Sequence, residues 1–249
     1  MATANPTMNE EVYRRAGLAD TPTQAMTLQG AVLKTAILLV ILLVTAAYTW
    51  TQAAAGATTL TYGLLIAGSL GGLVTAVVTV FAPRVSPFTA PLYAALQGLA
   101  LGGISAVFEA MYPGVVIQAL GLSTGVLAVM LFVYGTGLIR ATEKFKIGVV
   151  AATGAIGLVY LADIVLSLFG TRLPFIHETG VVGIGFSLVV VVIAALNLIL
   201  DFDVIERGVR LQAPRYMEWY GGFSLLVTLV WMYLEILRLL AKLRGSSRD

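Results

Sequence analysis

The sequence predicts an all-α membrane protein, a bundle of seven transmembrane helices. Three observations predict it. Of 249 residues, 59% are hydrophobic and only 11% charged, whereas a soluble domain carries roughly 25% charged residues. Seven stretches reach the ~20 apolar residues that a helix needs to cross the hydrocarbon. Those runs are continuous rather than alternating, which favours helices over barrel strands.

The elements follow in order. Residues 1–28 form a polar tail with Glu10, Glu11, Arg14, Arg15 and Asp20. They lack the short basic start and apolar stretch of a cleavable signal peptide, so the first span is expected to act as the insertion signal. The spans fall near 30–51, 62–82, 92–111, 115–138, 147–169, 180–203 and 221–242. Short links between them predict one compact transmembrane domain over 29–243 and a short polar end at 244–249. Pro83, Pro87, Pro91 and Pro113 stand at span ends, where proline costs little. Gly68 and Gly72 in the second span, and Gly98 and Gly102 in the third, have the four-residue spacing that lets helix backbones approach closely. Glycine is frequent in membrane helices in any case. No internal repeat resembles the inverted halves of a secondary transporter.

Lys and Arg set orientation, because cytoplasmic loops carry the excess of both. The tail, the 83–91 link (Arg84), the 139–146 link (Arg140, Lys144, Lys146) and the 204–220 link (Arg207, Arg210, Arg215) are basic. The 52–61 and 112–114 links carry no charge, and the 170–179 link has only Arg172 as a base. This alternation places the N-terminus in the cytoplasm. The C-terminal end breaks it, since seven crossings put Arg238, Lys242, Arg244 and Arg248 outside. Six preceding links agree, so seven full crossings are expected rather than a re-entrant last span.

Net charge and cysteine content exclude several function classes. A formal charge of +2 gives no basis for binding nucleic acid, and the lipid bilayer is the expected surrounding partner. Without cysteine there are no disulfides, thiolate nucleophiles or Cys-based metal centres. The single histidine, His177, sits beside Glu178 in a polar link and cannot build a zinc site alone. There is no Gly-rich phosphate loop and no Ser–His pair placed for catalysis. VVGIGF at 181–186 has glycines without the acid of an intramembrane aspartyl protease. No cofactor and no enzymatic activity are expected.

The chemistry lies in acids within the spans. A charged group at the bilayer centre costs about 2.5 kcal/mol or more on insertion scales, and such residues face a partner, a cavity or an ion path. Glu235 lies inside FSLLVTLVWMYLEILRLLAKL, with Arg238 three residues on and in reach of an ion pair. Asp201 and Asp203 end an unbroken apolar run in NLILDFDVIERGVRL. Asp203 and Glu206 are also within reach of Arg207 and Arg210 at a helix end. Asp163 is deep in the fifth span and Glu109 near the end of the third. Each is a candidate for lining an aqueous route or meeting a base such as Lys34 or Arg84. Two carboxylates sharing a low-dielectric site cannot both ionise cheaply and can hold one proton between them. They also offer a transient oxygen site for a hard divalent cation. Asp201 and Glu235 on neighbouring helices would together make a pH-gated cation path, with calcium bound only in passing.

Three segments carry a family resemblance. PLYAALQGLALGGISAVFEAMYPGVVIQALGLST (91–124), LNLILDFDVIERGV (196–209) and PRYMEWYGGFSLLVTLVWMYLEILRLLAKL (214–243) are similar, in this order, to the transmembrane Bax inhibitor motif family in its bacterial branch. The number of spans agrees. The resemblance implies a seven-helix fold with a central last helix. It also implies a calcium leak controlled by acids that fall at Asp201 and Glu235, and a bacterial plasma-membrane location. The second acid is Glu here rather than Asp, and the segment joining the two acids is longer than in the best-known members. With the last helix starting near 221, Glu235 lies about 21 Å along it at 1.5 Å per residue. The two acids then meet only if the sixth helix extends inward or the seventh starts above the membrane; otherwise Thr228 faces Asp201. For the family's basic latch on the second helix, Arg84 is the candidate. Two other classes remain open: a non-conducting protein that binds a quality-control or stress-response membrane partner, and a proton-coupled transporter of a small solute.

Overall fold

The computed structural model describes residues 25–139, 141–171, 173, 176 and 180–246. Most of the N-terminal tail with Arg14 and Arg15, and Arg140, Arg172, His177, Glu178 and Arg248, lie outside the described residues. Among the described residues seven long helices follow one another: α1 (Leu28–Ala54), α2 (Thr58–Phe81), α3 (Ser86–Met111), α4 (Val115–Gly135), α5 (Glu143–Leu168), α6 (Val181–Arg210) and α7 (Met217–Ser246). All seven are long and apolar enough to span a bilayer, so this is a multi-pass membrane protein. A 3-10 turn, Pro83–Val85, leads into α3. Among the described residues, β-pairing is limited to one isolated bridge, Ala25 with Pro214.

The chain forms two compact units. One holds α1, α2 and α3 together with Asp203–Val227, the end of α6 and the start of α7. The other holds α4, α5, α6 through Phe202, and α7 from Thr228 onward. Both α6 and α7 therefore serve two units. The last helix is also the most enclosed, with Tyr220, Phe223, Leu226, Met232 and Leu237 fully buried.

In the first unit α3 packs along both α1 and α2. Glycine sets that approach. A Cβ on Gly98 would overlap Thr45 Oγ1 and the Leu42 carbonyl of α1, and one on Gly102 would overlap the Ala46 carbonyl. On the other side, a Cβ on Gly68 would stand 2.5 Å from the Leu96 carbonyl and 2.8 Å from the Ala100 nitrogen. Both four-residue glycine pairs are packing devices. Tyr93 of α3 meets Phe223 of α7 edge-to-face at 4.9 Å, a favoured aromatic geometry.

One end of this unit is held by polar contacts. Thr27 caps α1, its hydroxyl accepting from Gly30 N at 2.9 Å. The Thr27 amide and hydroxyl both donate to Glu218 Oε1 at 3.0 Å. Glu218 is 2% exposed and stands in the first turn of α7. A carboxylate is favoured there, because it lies at the positive ends of two helices, α1 and α7. Gly30 leaves the room it needs, for a Cβ at that position would coincide with the Glu218 carboxylate. Met26 N donates to Ala213 O at 2.6 Å, Ser86 Oγ to Tyr216 O at 3.0 Å, and Lys34 lies 5.0 Å over the Trp219 ring. The starts of α1 and α3 and the α6–α7 link thus share one face, as the alternation of crossings requires. Glu218→Ala is expected to cost about 2–3 kcal/mol, because it strands two donors that now serve a charged acceptor. A fall in apparent melting temperature in detergent measures it, and Glu218→Gln should lose less.

The helix ends differ from the sequence expectation. Continuing α6 to Arg210, well past 203, is supported by ion pairs at helical spacing: Arg207 with Asp203 at 2.9 Å and Arg210 with Glu206 at 3.2 Å. Helix α7 starts at Met217 rather than 221, anchored by Glu218. Pro91 is not at a span end but inside α3. It stands early in the helix and forfeits a single intrahelical bond there.

Candidate functional site

The site is built in the second unit, where α5, α6 and α7 face one another through polar groups. Along α7, Glu235, Arg238 and Lys242 recur at three and four residues, the spacing of one helix face. Glu235 is 1% exposed. Its Oε1 accepts from the Tyr160 hydroxyl of α5 at 2.8 Å and from Arg238 Nη1 at 2.7 Å. The Arg238 guanidinium also lies 5.5 Å from the centre of the Tyr160 ring, a cation–π distance. Glu235 Oε2 is buried and has no hydrogen-bond partner among the described residues.

Two turns further on, Lys242 Nζ donates to Gly183 O at 2.9 Å and Ser187 Oγ at 2.8 Å, both on α6. Phe186, between them, packs edge-on against Tyr160 at 6.1 Å. Deeper along α6, Asn197 Nδ2 donates to Thr153 Oγ1 of α5 at 2.8 Å and to Ile193 O at 2.8 Å. Asp201, one turn beyond Asn197, is fully buried. Phe202 next to it meets Tyr134 of α4 with ring centres 5.6 Å apart.

The two candidate gate acids lie at different levels. Asp201 is nine residues before the end of α6 and Glu235 eighteen after the start of α7. At 1.5 Å per residue these are depths of about 14 Å and about 27 Å from the α6–α7 link. The earlier start of α7, at Met217 rather than 221, carries Glu235 further from the link and does not close this offset. Thr228, buried and at about 17 Å by the same rise, lies within one turn of the level of Asp201.

The remaining candidates are dispersed. Asp163 is buried on α5, three residues after Tyr160, and accepts from Leu173 N at 2.9 Å. Asp203 belongs to the first unit and is paired with Arg207. Glu109 is half-buried near the end of α3, and Arg84 is exposed on the 3-10 turn. Lys34 sits on Trp219. Among the described residues no cluster of three or more acids or histidines is placed to hold a metal.

Sequence reasoning did not single out Tyr160, Ser187 or Glu218, and it counted Lys242 only as a topology charge. The signals were present. Tyr160 precedes Asp163 by a helical three, Lys242 follows Glu235 by a helical seven, and Glu218 is an acid in a first turn. The basic end of α7 also ceases to be an anomaly. Arg238 is bonded to Glu235, Lys242 is sunk against α6, and Arg244 donates to the Pro113 carbonyl of the α3–α4 link. Each of these three bases has a partner within the protein, so its sign is a weaker guide to sidedness than that of a loop charge.

No curated protein and no solved structure matches the chain. A family model described as Bax inhibitor 1 like matches residues 5–245, nearly the whole length, and the ordered acids of α6 and α7 fall within it. The chain belongs to the Bax inhibitor 1-like family.

Proposed function

We propose that this protein is a pH-sensitive cation leak, for calcium in the first place, of the bacterial plasma membrane, with its N-terminus in the cytoplasm. The observation that carries this reading is the Glu235 carboxylate. One oxygen is held by Tyr160 and Arg238, while the other is buried with no hydrogen-bond partner among the described residues. An unsatisfied buried acceptor of this kind is costly, and a proton or a passing cation relieves that cost. Asp201 supplies a second buried carboxylate at another depth. The two act as successive stations on one route rather than as a hydrogen-bonded pair. Protons and cations compete for them, so acid suppresses the leak and alkali releases it. Family membership supports the reading, since the family is associated with calcium leak.

The test is calcium entry into liposomes carrying the purified protein, followed with an entrapped indicator. Uptake should exceed that of empty vesicles and rise as the bath is made alkaline. Equal uptake in empty and protein-containing vesicles ends the proposal.

A second reading is favoured by two ion pairs, Glu235 with Arg238 and Asp203 with Arg207. If those acids are structural, the protein is a non-conducting binder of a quality-control or stress-response membrane protein. One stoichiometric crosslinked partner together with absent flux would decide for it.

A further inference from the structure

Lys242 is a buried base (7% exposed) on the same face of α7 as Glu235. Its Nζ meets two oxygen acceptors on the first two turns of α6, Gly183 O and Ser187 Oγ. The start of a helix is the positive end of its dipole, an unfavourable place for an ammonium unless specific acceptors hold it. Around it the seam carries Glu235 and Arg238 on α7 and, bonded to Glu235, Tyr160 on α5. Glu235 is already bonded to Arg238, so the Lys242 charge has no carboxylate among its hydrogen-bond partners in the described residues. On the C-terminal stretch of α7 three bases, Arg238, Lys242 and Arg244, stand against the one acid, Glu235.

The geometry points to Lys242 as the specificity-determining residue of the leak: a fixed positive charge at the C-terminal end of the route that slows divalent cations before they reach Glu235. The inference rests on the proposed leak and adds a residue to it. A cation entering along α7 from its C-terminal end passes the level of Lys242 two turns before Glu235. Repulsion between an ion and a fixed charge scales with the ion's valence. Lys242 therefore restrains calcium more than sodium or potassium, and it makes the protein a slow leak rather than an open pore. The Ser187 hydroxyl and the Gly183 carbonyl position the ammonium across the seam.

Liposome flux of calcium and of potassium, compared across variants, tests this. Lys242→Met is expected to raise calcium entry on the order of tenfold, since one unit charge removed from a low-permittivity seam lowers the barrier to a divalent ion by that order. Potassium entry should rise by much less. Ser187→Asp places a carboxylate beside the ammonium and neutralises it without removing it, so it should raise calcium entry too, even where Lys242→Met folds poorly. Ser187→Ala keeps the charge but removes one of the two acceptors that position it, so the calcium-to-potassium ratio should move less than in Lys242→Met. Parent-like calcium flux in both Lys242→Met and Ser187→Asp overturns the assignment while leaving the leak intact. So does an equal rise for both ions, which marks simple loosening of the seam. Absence of flux from the parent and every variant overturns the leak and, with it, this role.

Discussion

Calcium entry through the Asp201→Asn variant is expected to stay at the parent's acid-side level at every pH. The carboxamide has nearly the shape of a protonated carboxyl, so packing around this fully buried residue is preserved. It can neither release a proton nor offer a charged oxygen to calcium, a hard cation that favours oxygen ligands, carboxylates among them. Glu235→Gln should flatten the profile as well, and it should do more. The neutral amide leaves Arg238 without its carboxylate, whose present bond is 2.7 Å, and losing a charge-assisted bond costs about 1.5–3 kcal/mol. It also leaves Arg238 and Lys242 unopposed on one face. Calcium flux should therefore stay at the parent's acid-side level, about tenfold below its alkaline-side level, because the one negative charge that an ionised Glu235 sets against these bases is gone. Tyr160→Phe removes one donor to Glu235 without altering charge, so it should shift the profile while keeping its slope. A parent-like pH profile in both Asp201→Asn and Glu235→Gln would remove the acids from the mechanism and leave the ion-paired, non-conducting reading as the better account.

Much of the fold was legible because membrane insertion writes it into composition. A span must be apolar over its whole crossing, and seven such runs stand in the chain. Helix ends were less legible, since outside the hydrocarbon other forces decide them. Helix α6 runs on to Arg210 because Asp203, Glu206, Arg207 and Arg210 pair along its surface. Helix α7 starts at Met217 because Glu218 is held by Thr27, a residue 191 positions away in the chain. Contacts of that separation leave no local periodic trace. The acids themselves were legible from their cost in lipid, and the Glu235–Arg238 pair from its spacing. Their relative depth was not, because it depends on where α6 ends and α7 begins. Lys242 shows the same limit. Its spacing from Glu235 marks a shared face, yet burial against Gly183 and Ser187 is a property of the packed bundle. The glycine pairs were ambiguous for a different reason: in a chain with 26 glycines, spacing alone cannot separate contact from coincidence.

Gly98→Val is expected to be among the most destabilising single substitutions in the first unit, whereas Gly154→Ala should be tolerated. Both glycines lie in membrane helices, so propensity and hydropathy do not separate them. The neighbours do. At Gly98 an added Cβ would meet Thr45 Oγ1 and the Leu42 carbonyl of α1, and the latter is backbone that cannot swing aside. Relief requires α1 and α3 to part, and with them the contacts at Gly102, where a Cβ would already stand 2.9 Å from Thr49 Cβ. Between membrane helices, close packing replaces the hydrophobic drive that operates in water, so this separation is not recovered elsewhere. Overpacking a dense interior costs about 1–3 kcal/mol, and Gly98→Val should sit at the upper end of that range. At Gly154, on an exposed part of α5, a new Cβ meets nothing within 4 Å. Alanine gains up to about 1 kcal/mol of helix propensity over glycine, so that variant should melt at or above the parent's temperature. Thermal unfolding in detergent, followed by loss of monodisperse protein, measures both. A Gly98→Val variant as stable as the parent would mean that α1 and α3 are not locked by backbone contact at this point.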